Sequence, residues 1–209
     1  MGITIHYRGT LDKPERVHDL QRELADIAKS MGWEYSLLDD DWAVSPSATL
    51  SYARGGATIH GHLGLKGISL APTGGGDSLS FFFDAEGRLR TVMEMVLQCE
   101  GREYPAPGWV FVKTQFGSAD DHVWIVGLLK YLQKRYLPDL EVQDEGGFWE
   151  TGDRDELEVK MRFLHEKIDQ LANGLAAEPV GDPSSLTLED VVSKIEQILK
   201  RRRGENSEQ

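Results

Sequence analysis

Cysteine is almost absent from this chain, and long apolar runs are absent altogether. The 209 residues include one cysteine, Cys99, so the sequence allows neither an internal disulfide nor a cysteine-based zinc site. No stretch approaches the roughly 20 apolar residues that a membrane-spanning helix requires. The first residues, up to Arg8, also lack the apolar core of a secretory signal. These features predict a soluble, cytoplasmic protein with no membrane partner.

Positive charge is also in short supply. The chain has 23 Lys and Arg against 35 Asp and Glu, which gives a net charge of −12 and a pI of about 4.9. Such an acidic molecule repels phosphate backbones, and its one basic run, at residues 200–203, is short and lies near the end of the sequence. The composition therefore predicts no nucleic-acid partner. Apolar residues make up 40% of the chain, which is ordinary for a folded domain.

Apolar periodicity predicts an α+β fold with a mostly antiparallel sheet of about seven to nine strands and helices packed on one face. Glycines punctuate the segment 48–99, which indicates an antiparallel meander. Within that segment, 89–97 fits either a strand or a short helix, and we interpret it as a strand. The other predicted strands are 3–7, 33–38, 109–116 and 140–142, and the predicted helices are 17–31, 122–136 and 155–175.

The composition of the last 34 residues differs from that of the rest. We predict a single α+β domain over 1–175, a linker over 176–186 that contains Pro179, Gly181 and Pro183, and a disordered tail over 204–209. Residues 187–203 between them predict an amphipathic helix. Its apolar stripe has to be buried, which predicts a protein partner or self-association into an oligomer through this helix.

A strand–helix–strand pattern occurs twice along the chain. In the first copy Gly9 and Trp42 bracket the helix and second strand, and in the second copy Gly117 and Trp149 do so at nearly the same spacing. The pattern suggests an internal duplication. Any two strand–helix–strand units look alike at this level, so the alternative is coincidence.

Two histidines alternate along one predicted strand. His60 and His62 point to the same face and are able to bind one divalent metal ion if a third ligand converges. The candidates for that ligand are Asp120, Asp121 and His122, at the start of a predicted helix, or the acidic run from Asp39 to Asp41. The alternative is that the histidines line a solvent-facing strand and that the acidic residues stabilise the helix N-terminus.

The loop 144–153 combines carboxylates, aromatic side chains and glycines. Such a loop suits a binding surface, a divalent cation site or a general acid with a raised pKa. The alternative is a surface loop that an aromatic residue anchors in the core. The candidate binding residues are Asp144, Glu145, Phe148, Trp149, Glu150 and Asp153.

Three further polar residues lie on or beside the predicted strands 3–7 and 109–116. Arg8, Lys113 and Gln115 are suited to hold an anion. Lys113 is equally suited to pair with a carboxylate at the edge of the sheet.

The function that these patterns favour is that of a non-catalytic binding or protein-interaction protein, which uses the 144–153 loop or the 187–203 helix. The alternative is a metal-dependent hydrolase or phosphoesterase that uses His60, His62 and nearby carboxylates. Only this alternative calls for a cofactor, a divalent metal ion. The sequence leaves open whether the chain is an enzyme.

Overall fold

A computed structural model describes residues 2–53, 56–73 and 77–176 and confirms the α+β fold with antiparallel strands. In chain order the elements of these residues are β1 (Thr4–Arg8), α1 (Val17–Met31), β2 (Glu34–Asp39), β3 (Thr49–Ala53), β4 (Gly56–His60), β5 (Lys66–Ala71), β6 (Leu79–Phe83), β7 (Leu89–Arg90), α2 (Val92–Cys99), β8 (Val110–Lys113), α3 (Ala119–Arg135), β9 (Glu141–Asp144), α4 (Phe148–Thr151) and α5 (Arg154–Ala176). The strands form three sheets rather than one.

The first sheet has three strands in the order β8-β1-β9. Its central strand β1 is antiparallel to both neighbours, so β8 and β9 run parallel to each other and α3 connects them. Alternation along each strand directs one set of side chains into the main core. The buried set includes Ile5, Tyr7, Val110 and Val112.

The second sheet has four strands in the order β2-β5-β6-β7, and both of its faces contribute to a core. On one face Ile68 and Phe81 join the main core with Leu24 of α1. On the other face Phe82 joins a smaller core with Met95 of α2. Strands β3 and β4 form a separate two-stranded hairpin.

Helix α1 follows from its apolar spacing. Val17, Leu20, Leu24 and Ala28 recur at helical intervals and are all buried, which is the pattern of a helix that packs one side on a sheet. The helix ends at Gly32, whose φ of 68° is the left-handed conformation common at helix C-termini.

The prediction of a strand over 89–97 is wrong beyond its first two residues. Strand β7 covers only Leu89–Arg90, and helix α2 begins at Val92. Thr91 caps this helix by accepting a hydrogen bond from the backbone N–H of Glu94. In a strand, the same N–H group would need an acceptor on a neighbouring strand.

The two strand–helix–strand units exist, but their topologies differ. In the second unit β8 and β9 flank β1 in one sheet, whereas in the first unit β1 and β2 belong to different sheets. The shared order of elements therefore does not extend to shared pairing.

The chain divides into two compact units, Met1–Met161 and Arg162–Gln209. The described part of the second unit is the remainder of α5, which ends at Ala176. The predicted linker beyond that residue, the 187–203 helix and the 204–209 tail lie outside the described residues. Among the helices that are described, none combines the length and apolarity needed to cross a bilayer.

Candidate functional site

The outward side of the three-stranded sheet is exposed to solvent in the described part of the chain. We call it the open sheet face and define it by His6, Arg8, Phe111, Lys113, Glu141 and Gln143. His6 is half-buried, and the other five residues are exposed. Strand pairing places His6 between Phe111 and Gln143 in one row across the sheet. The face therefore presents an aromatic side chain at its β8 side, surrounded by polar groups.

Aromatic and cationic groups are adjacent on this face. The Phe111 side chain is 46% exposed, and its ring centroid lies 6.1 Å from that of His6. The Arg8 guanidinium lies 4.6 Å from the ring centroid of Trp109 and donates to Glu141 Oε2 at 2.7 Å. Lys113 has no ion pair among the described residues. Its ammonium group is thus available to an anionic partner.

A groove adjoins the open sheet face at β8. It has a volume of about 360 Å³ and a mostly apolar lining. Phe111 belongs to both surfaces, and Met93 of α2, which is 39% exposed, lies on the groove. The other lining residues are Ser80, Phe82, Thr91, Val92, Tyr104 and Val110. The space is large enough for one apolar side chain of a partner.

The carboxylate of Asp144, the first residue of the predicted binding loop, is turned into the protein. Its side chain is fully buried. Oδ1 accepts the backbone N–H of Gly146 at 2.7 Å, and Oδ2 accepts the backbone N–H of Trp149 at 2.9 Å. Oδ2 also lies 3.1 Å from Nε2 of His122. Burial raises the pKa of the Asp144 carboxyl, but the bonds from His122, Trp149 and Gly146 outweigh burial, so that this pKa lies below its ordinary value.

Most of the remaining loop residues also have partners within the protein. Glu145 Oε2 accepts the backbone N–H of Thr4 at 2.9 Å, and Asp153 Oδ1 accepts that of Glu156 at 3.0 Å and so caps α5. Phe148 and Trp149 are half-buried and pack against the main core. Glu150 is exposed. Anchoring by aromatic residues agrees with the surface-loop interpretation, while a binding role for these residues stays a prediction.

His122 and Asp144 form a buried line with a third residue, Thr114, that the sequence did not single out. His122 Nδ1 lies 2.8 Å from Thr114 Oγ1, so a hydroxyl, an imidazole and a carboxylate follow one another. Thr114 is only 2% exposed and His122 is fully buried. A substrate has no access to these atoms as they stand, and the line therefore fastens α3 to the ends of β8 and β9. Alternation from Val112 to Thr114 was the signal for an inward-facing hydroxyl.

Four of the predicted metal ligands have different surroundings. His60 is exposed on β4, with Nε2 2.9 Å from Ser51 Oγ. His62 is half-buried, and neither of its buried ring nitrogens has a hydrogen-bond partner among the described residues. Asp120 accepts from Arg154 at 2.6 Å, and His122 takes part in the buried line. Within residues 2–53, 56–73 and 77–176, no three His, Cys, Asp or Glu side chains are placed to hold a metal ion.

The helix-capping interpretation of the acidic residues before His122 is confirmed for Asp121. The Ser118 side chain accepts the backbone N–H of Asp121, and the Asp121 carboxylate accepts the backbone N–H of Ser118. This reciprocal pair is a capping box.

A charge network around two buried carboxylates, Asp84 and Glu94, was missed by sequence reasoning. Asp84 Oδ2 accepts from Nε of Arg88 at 2.9 Å and from Nε of Arg90 at 2.8 Å. Arg90 also donates to Glu94, whose carboxylate accepts the backbone N–H of Gly108 at 3.2 Å. The network joins the β6–β7 turn, α2 and the loop before β8. The glycines of the segment 48–99 indicated a meander but not the pairing of these charges.

Comparison of the chain with protein-family models, curated proteins and solved structures finds no match. Function is therefore inferred from the geometry of the described residues.

Proposed function

We propose that this chain is a non-catalytic protein-interaction protein and that its partner binds the open sheet face together with the adjoining groove. The observation that carries the proposal is the position of Phe111. Its ring is 46% exposed and borders both the sheet face and the groove of about 360 Å³. An exposed aromatic side chain beside a pocket is the arrangement that anchors many protein interfaces.

In this proposal, the burial of apolar side chains provides most of the binding free energy. Full burial of an aromatic or methionine side chain stabilises a complex by roughly 1.5–3 kcal/mol relative to exposure. Phe111 and Met93 are both partly exposed along the same groove. A partner side chain such as Leu, Met or Phe in the groove would cover both residues at once.

In this proposal, the charge of Lys113 sets the orientation of the bound partner. Lys113 pairs with Thr4 of β1, one row away from the row that holds Phe111 and His6. Its ammonium group has no carboxylate partner among the described residues. We therefore expect the partner to place a carboxylate near Lys113 and an apolar side chain near Phe111. A contact of this kind is weakened by salt.

We propose that the 144–153 loop and the 187–203 helix extend this binding surface. Glu145 pairs with the start of β1 and is exposed, as is Glu150, so the 144–153 loop lies at one end of the open sheet face. The 187–203 helix stays a proposed second contact. The hydrolase alternative also stays a prediction, and its test is described in the Discussion.

Photo-crosslinking from defined positions tests the proposal. A photoreactive phenylalanine analogue is placed at Phe111 in one variant and at Val44 in a matched control, since Val44 is 49% exposed in the loop between β2 and β3 and belongs neither to the open sheet face nor to the groove. We expect position 111, and not position 44, to capture one protein. That protein, once purified, should bind the full chain, and Phe111→Asp should weaken binding at least tenfold.

Further variants separate the proposed surfaces. Lys113→Glu should weaken the complex and reduce its dependence on salt, whereas Val44→Asp should leave affinity unchanged. Equal capture at positions 111 and 44 would contradict the proposal. Loss of binding in Ile195→Asp without loss in Phe111→Asp would move the contact to the predicted helix.

A further inference from the structure

The outer edge of β2 is unpaired among the described residues. In the sheet β2-β5-β6-β7, strand β2 pairs with β5 on one side only. Pairing with β5 runs without a break from Glu34 to Asp39, so no bulge interrupts the edge. The four central residues, 35–38, include neither charge nor proline. Edge strands usually carry such features because an unprotected edge pairs with another chain.

An open groove lies between this edge strand and helix α1. Tyr35 and Leu37 point toward α1 and are 37% and 57% exposed. The groove has a volume of about 650 Å³. It stays open because β2 is the last strand on this side of the sheet among the described residues. One additional strand beside β2 would cover both apolar side chains.

The sequence of β2 is complementary to itself. If two copies meet antiparallel about a two-fold axis at Ser36, residues whose numbers add to 72 face each other. Tyr35 of one copy then faces Leu37 of the other on the α1 side, and Glu34 faces Leu38 on the opposite side. Pairs of aromatic and aliphatic side chains stabilise antiparallel strands, and no like charges face each other directly.

Three acidic residues around this edge have a basic partner, whereas Glu34, Asp40 and Asp41 form no salt bridge among the described residues. Asp39 pairs with Lys66 and His18, Asp19 pairs with Arg22, and Asp26 pairs with Lys29. Two copies of a chain with a net charge of −12 repel each other over most of their surfaces. At the β2 edge the charges of Asp19, Asp26 and Asp39 are offset by their partners, and in the register centred on Ser36 the two Glu34 residues lie about 13 Å apart along the strands.

We infer that a second copy of this chain binds at β2, so that two four-stranded sheets join into one continuous eight-stranded sheet. The contact is symmetric, with the same residues on both sides. This contact is separate from the open sheet face, so each of the two proposals can be tested without the other.

Disulfide trapping tests the inferred register. In a Cys99→Ala background, Ser36→Cys places two thiols opposite each other at the two-fold axis, where facing Cα atoms of antiparallel strands lie about 4.5–5.5 Å apart. Glu34→Cys is the matched control on the same strand and face. Its two thiols would lie four residues apart along the strands, about 13 Å. We expect mild oxidation to convert most of the Ser36→Cys chain, and little of the Glu34→Cys chain, into covalent dimer.

Sedimentation equilibrium of the full chain supplies the second measurement. We expect a dimer that Leu37→Lys weakens at least tenfold and that Val44→Lys leaves unchanged, with circular dichroism unaltered in both variants because both residues are exposed. A monomeric wild type overturns the inference. The edge of β2 would then be a candidate site for a strand of another protein. A dimer that survives Leu37→Lys, or equal trapping at positions 34 and 36, also overturns it and directs attention to the 187–203 helix.

Discussion

At the scale of single residues, we expect the contact between His122 and Asp144 to contribute strongly to stability. Both side chains are fully buried, and Asp144 accepts hydrogen bonds from two backbone N–H groups as well as facing the imidazole. Loss of the charge would leave one oxygen as an acceptor and would replace the other by a donor group, so that at least one buried donor loses its partner in a region that excludes water. This carboxylate holds the loop after β9 in place by accepting hydrogen bonds from its backbone.

We predict that Asp144→Asn lowers the free energy of unfolding at pH 7 by roughly 3 kcal/mol. The folded pKa of Asp144 lies below its unfolded value, so its contribution is complete above the unfolded pKa of about 4 and is lost as the pH falls through the folded pKa. The difference between wild type and variant should therefore shrink below about pH 4. Urea unfolding of wild type and of Asp144→Asn at pH values from 7 to 2 measures this difference in the free energy of unfolding.

Glu150→Gln is the control for this measurement, because Glu150 lies in the same loop and is exposed. Its effect should stay within about 0.5 kcal/mol. A variant of Asp144 as stable as wild type at pH 7 would show that the buried contact does not stabilise the loop.

At the scale of elements, the approach of β5 to β6 requires a glycine. Gly67 has a φ of 152°, and a Cβ atom there would lie 1.9 Å from the backbone oxygen of Phe81. Gln21 of α1 bonds the carbonyl oxygens of Leu38 and Gly67, which fixes the helix over both strands. The sheet cannot shift to make room without loss of these bonds.

We predict that Gly67→Ala destabilises the protein by roughly 2–4 kcal/mol, because strain and overlap with backbone act together. Gly127→Ala in α3 is the matched control, since a Cβ atom there meets nothing within 4 Å. Within a helix this change should stabilise by roughly 0.5–1 kcal/mol. Thermal unfolding of the two variants should give shifts of opposite sign. Equal shifts would contradict the steric explanation.

At the scale of the whole molecule, metal content separates the two function classes. His62 has two buried ring nitrogens without partners among the described residues, which is the one observation that favours a ligand role. The interaction proposal expects chain purified without chelators to hold less than a tenth of an equivalent of zinc, manganese or iron. Elemental analysis of wild type and of His60→Ala/His62→Ala measures this. Near-stoichiometric metal in wild type that is lost in the double variant would support the hydrolase alternative instead.

Local patterns in the sequence determined the class of the fold and most of its elements. The spacing of Leu20, Leu24 and Ala28 predicted α1, and the alternation around Ile5 predicted β1, because each pattern arises from the geometry of one element. Capping by Asp121 was predictable for the same reason, since its partner Ser118 is three residues away. Helix α2 was missed because its apolar residues fit either a strand or a helix.

Only the tertiary structure decided which residues meet across the chain. The contact of Glu145 with Thr4 and the exposure of Phe111 depend on the order β8-β1-β9, which brings together residues more than 100 positions apart. The open edge of β2 likewise follows from pairing with β5 on one side only. No local pattern encodes these pairings, because they result from packing the whole core at once. The sequence singled out Arg8 and Lys113 of the open sheet face, whereas the roles of Phe111 and Leu37 emerged only from the packing of the strands.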